Sequence, residues 1–180
     1  MFHRLVRAAM IALLACGAPS VASAQVIEAG KNEISTDFTF NSSMLSGVDS
    51  NRTTDYRWSL SYGRFLTDRF AVGPVFTIEN SPNNDVRPFN IGGLGRFYFG
   101  DRDGQALPFV EVASTRAFNR VFDMNFTDVQ VSGGVMFPMG RSGARFRVAP
   151  YYYRAFYDEQ LFGISYSHAF GVSWSVALLF

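Results

Sequence analysis

Asp55-Tyr56-Arg57-Trp58-Ser59-Leu60-Ser61-Tyr62-Gly63 places every large apolar or aromatic side chain at an even number and every charged or small one at an odd number. A helix at 3.6 residues per turn would scatter both sets around its axis. An extended strand, whose successive side chains point to opposite faces, sorts them cleanly. This segment predicts a strand with one aromatic face and one polar face.

The same alternation recurs along the chain. Val172, Trp174, Val176, Leu178 and Phe180 oppose Gly171, Ser173, Ser175 and Ala177. Ile34, Thr36, Phe38 and Phe40 oppose Glu33, Ser35, Asp37 and Thr39. Val129, Val131, Val135 and Phe137 oppose Asp128, Gln130, Ser132 and Gly134. Other stretches fit less cleanly: Phe89, Ile91, Phe97 and Phe99 oppose Asn90, Gly92 and Arg96, and Phe146, Val148 and Tyr152 oppose Arg147, Ala149 and Tyr151. Eight strands follow, over 32–41, 54–64, 70–79, 89–99, 108–116, 126–137, 145–156 and 162–180. Most have the ~9–11 residues that a tilted strand needs to cross a hydrocarbon layer. Pro74 and Pro150 fall inside strands, and because proline gives no ladder donor they predict bulges or bends. Leu66-Thr67-Asp68-Arg69 reads as a tight turn. The stretches 42–53, 80–88, 117–125 and 157–161 read as loops at the opposite end. Long loops at one end and short turns at the other suit an up-and-down barrel.

Alternation alone does not say which face looks inward. The apolar face carries Tyr56, Trp58, Tyr62, Tyr152, Trp174 and Phe180. An eight-stranded barrel has an interior only just wide enough for side chains, so these rings are expected outside. The polar face carries charges of both signs: Glu33, Asp37, Glu111 and Asp128 against Arg57, Arg96 and Arg147. Enclosed charges must be paired, and a nearly matched set predicts a lumenal ion-pair network of those seven residues. The predicted fold is an all-β, eight-stranded antiparallel up-and-down transmembrane β-barrel with a polar, largely plugged lumen.

Two segments carry a family resemblance. Ser173-Trp174-Ser175-Val176-Ala177-Leu178-Leu179-Phe180 resembles the C-terminal assembly signal of outer-membrane barrels, with Trp174, Val176, Leu178 and Phe180 at every other position. Tyr62-Gly63-Arg64-Phe65-Leu66-Thr67-Asp68-Arg69-Phe70-Ala71-Val72-Gly73 resembles a strand–turn–strand of the small outer-membrane β-barrel domain family, which includes OmpA-like and OmpX-like barrels and bacterial surface antigens. The resemblance implies insertion in the bacterial outer membrane by the barrel assembly machinery.

The N-terminal residues read as a leader rather than as fold. Arg4 and Arg7 precede the apolar run Ala8–Ala15, and Ala22-Ser23-Ala24 matches a small-residue cleavage site. Residues 1–24 are therefore expected to be a cleavable signal peptide, and 25–180 the barrel domain. Cys16, the only cysteine, is either a small residue within that leader or, since Leu13-Leu14-Ala15-Cys16 resembles a lipobox, an acylation site; the downstream Ala22 and Ala24 favour the first. Removing residues 1–24 takes away two arginines and no acid, which turns a net charge of +1 into −1. No basic excess of the kind that binds nucleic acid remains.

Chemistry-bearing motifs are sparse. His168 is the only histidine beyond the leader, and Ser165 and Ser167 lie on the opposite strand face from it, a poor arrangement for a relay. Asp101, Asp103 and Gly104 lack the remaining ligands of a calcium loop. Gly92-Gly93-Leu94-Gly95 has no following helix to cradle a phosphate and instead suits close strand approach. No enzyme, metal or cofactor is expected. Arg52, Arg87, Arg116 and Arg120 lie in or beside the predicted loops, either as solvated charge or as contacts to lipopolysaccharide phosphates. Three roles stand at this point: a monomeric structural or surface-exposed envelope protein in contact with outer-membrane lipid, a narrow pore for small solutes, and, more weakly, a lipid A-modifying enzyme.

Overall fold

Apolar–polar alternation needs a sheet, and a sheet in lipid needs every backbone donor and acceptor paired, which only a closed barrel achieves. The computed structural model of the protein describes residues 27–44, 53–80, 89–100, 106–118, 125–139, 143–161 and 164–180. The expected leader with Ala22, Ala24 and Cys16 lies outside them, as do Arg52, Arg87, Arg120, Asp101, Asp103 and Gly104. The described residues form eight strands: β1 (Asn32–Met44), β2 (Thr53–Phe65), β3 (Phe70–Asn80), β4 (Phe89–Tyr98), β5 (Leu107–Phe118), β6 (Phe126–Pro138), β7 (Ala144–Leu161) and β8 (Ile164–Leu179). Each pairs antiparallel with its neighbour in sequence, and β1 pairs with β8 to close the barrel. The seam is finished by reciprocal backbone bonds between Asn32 and Phe180, at 2.8 and 3.0 Å.

The strands begin within a residue or two of their expected starts, but several run further. β7 reaches Leu161, so the stretch 157–161, expected as a loop, is strand. The prolines are not bulges. Opposite Pro74 the β2–β3 ladder lapses between the Ser61↔Val75 and Arg64↔Val72 pairs, and opposite Pro150 the β6–β7 ladder lapses between Ser132↔Tyr151 and Val135↔Val148. The register is the same on both sides of each lapse. The missing proline donor opens the ladder locally without inserting a residue. The one register shift in these pairings lies between β7 and β8, from Phe156 to Leu161.

Three inward glycines sit where backbones crowd. A Cβ on Gly73, Gly92 or Gly134 would meet a neighbouring strand's carbonyl oxygen (Tyr62, Ser114 and Val148) at 1.8, 1.9 and 2.1 Å. These positions let the sheet bend tightly enough to close with eight strands. The Gly92 reading as a point of close strand approach is met.

Burial shows which face is which. Glu33, Arg57, Arg96, Asp128 and Arg147 are buried, whereas Tyr56, Leu60, Phe97, Val112, Phe170 and Trp174 are exposed on the outer wall. A water-soluble barrel has the opposite polarity. Trp58 and Tyr62 satisfy their polar ends on the exterior itself, through Nε1–H to Thr36 Oγ1 (2.7 Å) and O–H to Asn32 Oδ1 (2.7 Å).

The interior nevertheless holds more rings than expected. Phe65, Tyr98, Phe109, Phe126, Tyr151 and Tyr153 all point inward and are buried. They fit because they gather toward the two ends. At the end where Ile27 and Phe180 lie, Ile27, Phe65, Tyr98, Leu107, Phe109, Met136 and Leu179 form one apolar cluster. Ile27 reaches it because the chain turns at Gly30 (φ 86°), whose N–H donates to the Phe65 carbonyl (2.8 Å), while the Ala29 N–H donates to Asp68 Oδ1 (2.9 Å). At the other end Phe126, Tyr151 and Tyr153 pack with Ala117, Ala155 and Ala169.

Candidate functional site

Strand parity sends all seven predicted charges inward, and the register arranges them as two clusters rather than one. The first is centred on Glu33. Arg96 on β4 faces Glu111 on β5 directly across the ladder, and donates to it through Nε (2.6 Å) and through Nη2. The same guanidinium reaches across the lumen to Glu33 on β1 through Nη1. Glu33 also accepts from Arg147 Nη1 on β7 (3.1 Å) and from the Tyr98 hydroxyl (2.7 Å). Arg147 in turn donates Nε–H to Ser175 Oγ (2.9 Å), and its Nη2 faces Asp37 at 3.7 Å. Phe109 lies beside both guanidiniums, its ring centroid 5.9 Å from Arg96 and 5.7 Å from Arg147. The aromatic face supplies attraction where two like charges approach each other.

The second cluster is centred on Asp128, which is 0% exposed. Thr115, its ladder partner, donates both its hydroxyl (2.8 Å) and its backbone N–H (3.2 Å) to this carboxylate. Asn90 Nδ2 on β4, one strand beyond Thr115, and Arg57 Nη2 on β2, from across the lumen, each donate to it at 3.2 Å. Arg57 is also an ion pair with Glu79, directly opposite on β3, at 3.5 Å, and its guanidinium lies 5.0 Å from the Tyr153 ring centroid. Each cluster thus couples a cross-strand pair to a partner across the tube.

Between the clusters the wall is built of small side chains. Ser35 and Ser61 share a hydrogen bond of 2.5 Å, and Ser59 and Thr77 one of 3.1 Å. A cavity of about 30 Å³ remains, lined by Asp37, Arg57, Glu111, Gln130 and Arg147 among others. That is room for about two waters. The buried Arg57 Nε and Arg147 Nη2 have no hydrogen-bond partner within the protein, and water in this cavity would satisfy them.

All seven expected residues are therefore lumenal. The sequence reading missed Glu79, Asn90, Tyr98, Phe109 and Thr115. Glu79 was visible by parity with Arg57's partner strand, but Tyr98 and Phe109 were hidden by treating rings as outward residues. His168 lies on the exterior-facing parity of β8, its ring 6.5 Å from that of Phe170. The Ser165 and Ser167 side chains fall outside the described set. Among the described residues no cluster of His, Cys, Asp and Glu could hold a metal ion.

At the C-terminus Trp174, Val176 and Phe180 line the exterior and Leu178 is half-buried beside them. This row faces outward along β8, the strand that closes the seam.

No family model and no curated protein sequence matches this chain. Solved structures do. Neisserial surface protein A is similar at a TM-score of 0.61 and 15% identity, over 83% of this chain and 98% of that one. The outer membrane protein OprG from Pseudomonas aeruginosa follows at 0.54 and 13%, over 88% and 99%. The N-terminal β-barrel domain of Pseudomonas aeruginosa OprF stands at 0.52 and 12%, over 84% and 99%. Identities this low speak to fold alone. With these proteins the chain shares an eight-stranded antiparallel barrel fold, here with an apolar exterior around a charged interior.

Proposed function

We propose that this protein is an integral outer-membrane barrel with an occluded lumen, serving a structural or surface-exposed role in the envelope rather than conducting solutes. The observation that carries this reading is the pair of ion clusters that bridge the tube, Glu33–Arg96–Arg147 at one level and Arg57–Asp128 at the other. A solute would have to part several desolvated charge pairs, and each costs several kcal/mol to leave unpaired. The wide apolar exterior fits acyl chains, and Tyr62 and Tyr56 sit toward its two ends, where headgroups lie. On this reading the termini and the Leu66–Arg69 turn face the periplasm, residues 1–24 are removed on export, and the outward row of Trp174, Val176, Leu178 and Phe180 is what the assembly machinery reads. No catalytic role is assigned to His168.

Planar-bilayer recording of the detergent-refolded protein tests the central claim. The expected trace has no reproducible unitary steps. Steps that recur between preparations, and that change on Arg57→Ser substitution, would establish a pore instead.

A further inference from the structure

The residues just ahead of β1 and the turn at 66–69 meet at one mouth of the barrel. Residues 28–31 form a β-turn, in which the Lys31 N–H donates to the Glu28 carbonyl at 3.2 Å and Gly30 takes the third position with φ 86°. A type II turn requires that sign of φ there, and glycine adopts it without steric cost. The turn lies against the end of β2: the Gly30 N–H donates to the Phe65 carbonyl at 2.8 Å and the Phe65 N–H to the Lys31 carbonyl at 2.9 Å. A third bond comes from the 66–69 turn, where the Ala29 N–H donates to Asp68 Oδ1 at 2.9 Å. Thr67 shapes that turn, its Oγ1 accepting from the backbone N–H groups of Phe70 (3.0 Å) and Arg69 (3.3 Å). Asp68 is thereby presented to the residues crossing in front of it.

These bonds hold Ile27 inside the mouth. Every strand from β2 to β8 contributes a residue to the apolar cluster there, and β1 contributes none. Its place is taken by Ile27, five residues before β1 begins and only 1% exposed. The same cluster contains Tyr98, whose hydroxyl donates to Glu33 at 2.7 Å. The apolar layer therefore lies directly against the Glu33 ion cluster. Water admitted at this mouth would raise the local dielectric and weaken those charge pairs.

We propose that residues 27–31 are a tethered plug for this mouth, with Ile27 as the stopper, Gly30 as the bend that seats it and Asp68 as its latch. The ion clusters block the middle of the tube, and the plug seals one end against water. The proposal deepens the reading of an occluded lumen and rests on it.

Thiol labelling of the detergent-refolded barrel tests the plug. The reporter is Met136→Cys, placed at a 1% exposed position of the mouth cluster, in a Cys16→Ser background that leaves no other thiol. A small methanethiosulfonate reagent should modify it slowly in the parent, and about tenfold faster or more when Ile27→Asp expels the stopper. Gly30→Val should act in the same direction by another route. An added Cβ at Gly30 meets nothing within 4 Å, so that variant disturbs only a backbone conformation that β-branched residues avoid. Asp68→Ala should give a smaller acceleration. A second reporter, Ala155→Cys in the apolar cluster of the opposite end, should keep its rate in every variant. Fast labelling of Met136→Cys in the parent, or a rate that neither Ile27→Asp nor Gly30→Val changes, overturns the plug. Equal acceleration at Ala155→Cys also overturns it, since the whole barrel would then be loosened. An unchanged rate in Asp68→Ala overturns the latch. Boil-sensitive gel mobility confirms that each variant is folded, and Gly30→Val keeps the test open if Ile27→Asp does not refold. These failures sink the plug alone, because the ion clusters lie deeper, whereas recurrent unitary steps in the bilayer recording sink the occluded-lumen reading beneath it.

Discussion

Glu33 is 1% exposed and accepts hydrogen bonds from three side chains on two other strands, Arg96 and Tyr98 of β4 and Arg147 of β7. Burying such a group stabilises little in itself, because desolvation offsets most of the attraction, but removing a partner strands the charges left behind. Arg96→Ala should therefore lower unfolding stability in detergent by about 3–5 kcal/mol, read from the urea midpoint. Tyr98→Phe removes only the 2.7 Å hydroxyl bond to Glu33 and should cost about 1.5–3 kcal/mol. If the two variants rank the other way, Arg96 is not the stronger of these two partners of Glu33. At this scale the sequence was half legible. Parity alone sends Arg96, Glu111, Asp128 and Arg147 inward. Which of them touch depends on register, and register is set by backbone pairing and turn lengths that no single strand's alternation reveals. Tyr98 shows the further limit, since a ring with a polar tip suits either face.

Strands were more legible than their irregularities. Alternation located every strand of the barrel, because a half-buried sheet leaves period two wherever its two sides meet different surroundings. Proline read alone was misleading: Pro74 and Pro150 interrupt pairing yet keep register, since losing one donor does not require an extra residue. Glycine was the better indicator of shape. Gly92 and Gly93 are adjacent, but they face opposite ways and meet different surroundings. An added Cβ would lie 1.9 Å from the Ser114 oxygen at Gly92, and no closer than 3.7 Å to the nearest atom at Gly93. Gly92→Ala should cost at least about 1–3 kcal/mol and reduce the yield of folded barrel, while Gly93→Ala should refold nearly as the parent does. Comparing the boil-sensitive fraction of the two variants on a gel decides this, and equal yields would mean that the strands do not approach so closely at Gly92.

For the whole molecule, polarity is the property that sequence could not settle from alternation and that burial makes plain. The charged face is inside and the greasy face outside. Ring size was a sound clue to the exterior but was applied too strictly, since eight-stranded interiors accommodate aromatics near their mouths, as Phe65 and Tyr153 do. The compact, boil-sensitive species expected of the refolded chain follows from this polarity together with closure, because a closed barrel leaves no strand edge unpaired.

Closure also imposes an order on the ion pairs. Arg96 and Glu111 sit on adjacent strands, as do Arg57 and Glu79, and each couple can meet as soon as its own hairpin forms. Glu33 belongs to β1, whose second neighbour is β8, and its bonds reach β4 and β7. It works as a keystone, fitting only when the arch is otherwise complete. Until then Arg147 has no such counter-ion, and that unmet charge favours the zipped ring over the open sheet. A Glu33→Gln chain should insert its hairpins at the usual pace yet dwell with its first and last strands unjoined, detectable as delayed crosslinking between cysteines placed at Thr36 and Val176.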